Sequence, residues 1–139
     1  MFVTEFQAII GTLLYYARAV DPSLLPIANE LASKQAQPTT AVMNAASRAL
    51  SYCAGKLNMA TTFYACGMIL TVYVDASYLS RSNARSVVGC IFFLGNKHHP
   101  TRVNGTISAI STIIPCVVAS AGEAEYAAVF TGGQHVSEF

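Results

Sequence analysis

Near residue 55 the apolar residues of this chain change their spacing, and the two spacings belong to different kinds of structure. Upstream, Phe6, Ile9, Ile10, Leu13, Leu14 and Ala17 recur at helical intervals behind Thr4-Glu5-Phe6-Gln7, which has the form of a capping box. This pattern predicts a helix over about 5–20. Asp21-Pro22 supplies an N-cap and a first-turn proline for a second helix with Leu24, Ala28, Leu31 and Ala32 on its apolar face; Pro26 fits only in its first turn. After Gln37-Pro38-Thr39-Thr40, a third helix places Val42, Ala46, Ala49, Leu50 and Cys53 on one stripe and ends near Gly55.

Downstream the period falls to about two, and β-branched and aromatic residues take over. Strands are expected at about 60–66, 69–75, 86–94 and 106–119, with Gly67-Met68 as a tight turn and Pro115 interrupting the last stretch. Ser120-Ala121-Gly122-Glu123 is a second capping-box pattern, opening a helix over about 121–135. The chain therefore reads as α/β (α+β): a helical segment over 1–57, then a strand-rich part over 58–139.

Composition narrows the classes further. A hydrophobic share of 53%, with 11% charged residues and a mean hydropathy of +0.45, calls for a buried core rather than disorder. Runs such as 68–74 and 90–94 fall far short of the roughly 20 residues that span a bilayer, so no membrane partner is expected. Glu5 in the first apolar stretch and the lack of a basic leader argue against secretion, and the expected compartment is intracellular, cytoplasmic or nuclear. Cys53, Cys66, Cys90 and Cys116 have no metal-binding or redox spacing and read as buried free thiols. The formal charge is only +1, yet no Asp or Glu stands between Asp75 and Glu123, a window that holds Arg81, Arg85, Lys97 and Arg102. Those four are candidate nucleic-acid contacts; a solvated loop face is the alternative.

Several segments, in order, resemble the copia-type retrotransposon polyprotein. Phe6-Gln7-Ala8-Ile9-Ile10-Gly11-Thr12-Leu13-Leu14-Tyr15-Tyr16-Ala17-Arg18 is similar to the stretch that follows the reverse transcriptase palm. Ala46-Ser47-Arg48-Ala49-Leu50-Ser51-Tyr52-Cys53-Ala54-Gly55 looks like the helical segment after it. Val72-Tyr73-Val74-Asp75-Ala76-Ser77-Tyr78, Arg85 to Gly95 and Ser120-Ala121-Gly122-Glu123-Ala124-Glu125-Tyr126 resemble the first strand, second strand and first helix of the family's RNase H domain. The chain departs from the family in a longer segment between Phe93 and Ile107, and in Ala109 where Trp is frequent.

The resemblance implies a reverse transcriptase tail followed by a partial RNase H-like fold, an antiparallel three-stranded meander with a helix across it. Such enzymes cleave the RNA strand of RNA–DNA hybrids with two Mg2+ or Mn2+ ions held roughly 3.5–4 Å apart by carboxylates. Asp75 and Glu125 match two of the family's catalytic, metal-binding carboxylates and are expected to approach each other, with Glu123 left to its capping role. The two later aspartates of the family have no counterpart here, so the chain is expected to be catalytically incomplete, or active only with carboxylates supplied downstream. RNA–DNA hybrid, an upstream polymerase domain and a second copy of the chain are the expected partners. His98-His99 read as surface residues, and His135 as a partner of its helix C-terminus.

Overall fold

The computed structural model describes residues 2–97 and 103–139, which divide into two compact units, 1–61 and 62–139. Together they form a mixed α/β chain, as the change of apolar period implies.

Unit 1 is helical. Helix α1 (Phe2–Ala19) is followed by a 3-10 turn (Pro22–Leu24), α2 (Leu25–Ser33) and α3 (Thr40–Ala54). Phe6, Ile10 and Leu13 of α1 meet Ala28 and Leu31 of α2 and Val42, Ala46 and Ala49 of α3 in one core. Asp21 caps the 3-10 turn by accepting from the Ser23 N–H, Thr39 caps α3 by accepting from the Val42 N–H, and Pro26 sits in the first turn of α2. The N-terminal capping box is not formed. Helix α1 is already helical at Phe2, so Thr4 lies inside its first turn instead of ahead of it.

Unit 2 is an antiparallel sheet of β1 (Ile69–Arg81), β2 (Arg85–Gly95) and β3 (Thr106–Ile113), in the order β1-β2-β3, with α4 (Ala121–Val136) packed on one face. The side chains of a strand alternate between faces. Leu70, Val72, Val74 and Ala76 of β1 and Val88, Cys90 and Phe92 of β2 turn toward α4, where Ala124 and Ala128 meet them. The helix comes close because its contact seam is small. A Cβ added at Gly132, one turn beyond Ala128, would stand 3.0 Å from Val74 Cγ2 and 3.5 Å from Cys90 Sγ. Burial of a side chain such as Phe92 contributes roughly 1.5–3 kcal/mol. On the other face Phe93 lies edge-on to Tyr73, with ring centroids 5.0 Å apart.

Further expectations are corrected. Residues 60–66 form no strand, because no neighbouring strand offers them a ladder. The Asn104 side chain takes that part instead: its Oδ1 accepts from the Tyr64 N–H at 2.8 Å, and its Nδ2 donates to the carbonyls of Tyr64 and Leu94, each at 3.0 Å. Consequently Gly67-Met68 joins no strand pair; Met68, not Gly67, takes a left-handed φ of 58°. The third strand ends at Ile113, ahead of Pro115, rather than running to 119. All four cysteines are free thiols, but only Cys90 is buried and Cys116 is exposed. Among the described residues no helix is long and apolar enough to cross a membrane.

The packing of α4 on β2 sets thiol reactivity. Cys90 is 1% exposed, and burial raises its pKa, so its reactive thiolate is disfavoured as well as covered. A thiol reagent should label Cys116 rapidly in the native protein and Cys90 only on unfolding, read by mass spectrometry of peptides. Equal rates for the two would mean that α4 does not cover β2.

Candidate functional site

Asp75 lies in the middle of β1, opposite Gly89 of β2, and its side chain is exposed. Its neighbours Val74 and Ala76 pack toward α4, so the alternation of the strand sends Asp75, with Tyr73 and Ser77, to the opposite face of the sheet. A Cβ added at Gly89 would meet nothing within 4 Å, so the space beside Asp75 is open.

Glu125 follows the buried Ala124 on α4 and is exposed. It therefore belongs to the side of the sheet on which α4 packs, and Asp75 to the opposite side. The expected approach of these two carboxylates is not formed. Glu123 takes the capping role: its N–H donates to Ser120 Oγ at 3.1 Å and its Oε2 accepts from the Ala119 N–H at 2.7 Å. Among the described residues no group of three or more His, Cys, Asp or Glu gathers in a way that could hold a metal ion. Asp75 and Glu125 thus do not fit a shared two-metal centre.

Of the four basic residues, three lie among those described, at the two ends of β2. Arg81 and Arg85 are register partners across the turn between β1 and β2. Lys97 follows the other end of β2, and the ten residue steps from Arg85 to Gly95 carry the chain roughly 33 Å. Arg102 and His98-His99 lie outside the described residues. His135 sits in the last turn of α4, its Nδ1 3.1 Å from Glu138 Oε2.

The most connected polar array is one that sequence reasoning read only as a helix cap. Asp21 is 3% exposed; its Oδ1 accepts from the Ser23 N–H at 3.1 Å, and its Oδ2 accepts from the Tyr52 hydroxyl at 3.1 Å. The Lys56 ammonium in turn donates to the Tyr52 hydroxyl and lies 4.2 Å from the centroid of that ring. This hydrogen bond, helped by the nearby charge of Asp21, raises the Lys56 pKa above its ordinary value. Burial, followed by the charge of Asp21, raises the pKa of the Cys53 thiol. The four-residue spacing of Tyr52 and Lys56 was a visible signal; their link to Asp21, 31 residues from Tyr52, was not.

No protein-family model, no curated protein and no solved structure matches the chain.

Replacing Asp21 by Ala removes the cap and leaves the Tyr52 hydroxyl without its carboxylate, for an expected loss of about 1–3 kcal/mol. Tyr52→Phe removes one hydrogen bond and should cost about 0.5–1.5 kcal/mol. Urea unfolding followed by helical circular dichroism measures both. An Asp21→Ala variant no less stable than Tyr52→Phe would show that the carboxylate does not organise this array.

Proposed function

We propose that this chain is a fragment of a copia-type retrotransposon polyprotein, joining the helical tail of a reverse transcriptase to the front of an RNase H-like domain, and that by itself it does not cut RNA. The observation that carries the descent is the order of unit 2. A three-stranded antiparallel meander holds Asp75 on its first strand and Gly89 on its second, and a helix capped by Ser120, with Glu125 in its opening turns, then crosses one face. That is the arrangement the motifs imply, and the helical unit with Phe6 to Arg18 on α1 precedes it, as the resemblance requires.

The geometry of the carboxylates supports the second half of the reading. Two-metal cleavage needs several carboxylates around a pair of ions, whereas Asp75 and Glu125 lie on opposite sides of the sheet. Neither can complete a site with the other in this arrangement. The chain thus carries counterparts of two of the family's carboxylates, and these two do not converge.

The test of activity uses a hybrid with a labelled RNA strand, incubated with the full chain and millimolar magnesium or manganese. The RNA should remain as intact as in the protein-free control, and Asp75→Asn should change nothing. Turnover that disappears in Asp75→Asn would refute the non-cleaving assignment while leaving the descent standing. Descent is tested separately in the flanking genomic sequence. In-frame coding for a polymerase palm upstream supports it, and flanks that carry neither a palm nor further RNase H-like segments remove it.

A further inference from the structure

Asn104 and Gly105 make the only Asn-Gly pair in the sequence, and the fold uses each of them for a separate reason. At 104 it uses both ends of the side-chain amide. The Oδ1 accepts from the Tyr64 N–H at 2.8 Å and from the Gly105 N–H at 2.9 Å. The Nδ2 donates to the Tyr64 and Leu94 carbonyls, each at 3.0 Å, and lies 3.6 Å from Cys66 Sγ. These bonds form a clasp across three segments of the chain. At 105 the fold uses the absence of a side chain. A Cβ there would stand 2.8 Å from the Thr62 carbonyl oxygen and 2.8 Å from two carbons of the Phe63 ring, and the carbonyl is backbone that cannot swing aside.

Together the two residues carry a chemistry that neither has alone. An asparagine is labile because the backbone nitrogen of the next residue can attack its Cγ, and glycine, with no Cβ beside that nitrogen, hinders the attack least. The Gly105 nitrogen would bond to Cγ and give up its proton, the bond from Cγ to Nδ2 would break, and ammonia would leave with that proton. The five-membered imide so formed adds water at one of its two carbonyls. One opening gives aspartate; the other gives isoaspartate, whose main chain runs through Cγ and is one carbon longer. Water is the sole reagent, and nothing is oxidised or reduced. In the folded chain the clasp opposes this step. The attacking nitrogen has its N–H engaged by Oδ1, and the leaving nitrogen has its hydrogens engaged by two carbonyls, so ring closure must break all of these bonds.

We propose that Asn104-Gly105 is a self-modification site, silent while the clasp is closed and converted to isoaspartate and aspartate when it is open, so that an opening of the fold at this point becomes permanent. Neither product has an amide with which to re-form the clasp. In isoaspartate the added backbone carbon also falls immediately ahead of β3, whose first residue, Thr106, is the register partner of Phe93.

The full chain is held at mildly alkaline pH, in buffer and in guanidinium chloride above its unfolding midpoint. The tryptic peptide that follows Arg102, in which Asn104 is the only asparagine, is then assayed over time by mass spectrometry, with the isoaspartyl and aspartyl forms separated. In denaturant Asn104 should convert, with isoaspartate exceeding aspartate. In buffer its conversion should be slower by roughly tenfold or more, the factor that breaking several hydrogen bonds of ordinary strength imposes. Tyr64→Pro takes from Oδ1 one of the N–H groups it accepts and leaves the Asn-Gly pair intact, so this variant should convert faster in buffer than the parent. Should labelling of its Cys90 show that it has unfolded, it should instead match the parent in denaturant. Converted chain, separated from the unconverted and returned to buffer, should unfold at a lower denaturant concentration than the parent.

Equal rates in buffer and in denaturant would show that the clasp guards nothing, as would a folded Tyr64→Pro chain that converts no faster than the parent. An unfolded chain that keeps Asn104 intact removes the site itself. A converted chain as stable as the parent removes the permanence. Any one of these results overturns the proposal.

Discussion

The placement of Asp75 and Glu125 follows from which face of the sheet α4 covers. A strand offers two faces, and its side chains belong to them by parity alone. With Ala124, Ala128 and Gly132 forming a low seam, α4 settles onto the even-numbered residues of β1 and β2, and at Gly132 even a Cβ would crowd the Val74 side chain. Asp75 is then committed to the other face. Moving it to the covered side would require a one-residue slip that also turns Val72, Val74 and Ala76 out of the core. The hydrophobic alternation of β1 and a carboxylate site beneath α4 are therefore competing demands, and the alternation prevails in this fold.

Unit 1 obeys a different economy. Its helices are joined by short connections whose ends are capped by side chains a few residues away, and its core is one stripe from each helix. The array of Asp21, Tyr52 and Lys56 adds a polar tie between the turn after α1 and the end of α3. A buried carboxylate is costly unless its lone pairs are used. Here Ser23 and Tyr52 use them, and among the described residues no buried side-chain nitrogen or oxygen lacks a partner.

What was legible in the sequence was local in origin. The cap at Ser120 depends on a residue three positions away and forms as its motif implies, and Asp21 caps the 3-10 turn that leads into α2 rather than α2 itself. Helical and strand periods likewise mark the two units, because each period reports one exposed and one buried side. Two of the misreadings involve partners distant in sequence. Residues 60–66 have strand-like composition, but a strand exists only with a neighbour, and nothing local reveals that Asn104 stands there instead. Asp75 and Glu125 stand in segments that resemble a known pattern, yet whether they meet depends on the face chosen by α4, which motif order does not encode. Thr4 was misread for another reason: a capping-box pattern also occurs inside helices, and α1 runs through it.

The clasp made by Asn104 works through a property that only an amide has: its Oδ1 accepts from the Tyr64 N–H while its Nδ2 donates to the carbonyls of Tyr64 and Leu94. An aspartate of the same size could accept but, ionised, could not donate, so it would answer the N–H and set a negative charge against the two carbonyls. The junction between residues 62–66 and the end of β2 thus uses the donor end of one side chain, a demand on side-chain chemistry that a strand ladder, made of backbone alone, never places on its residues.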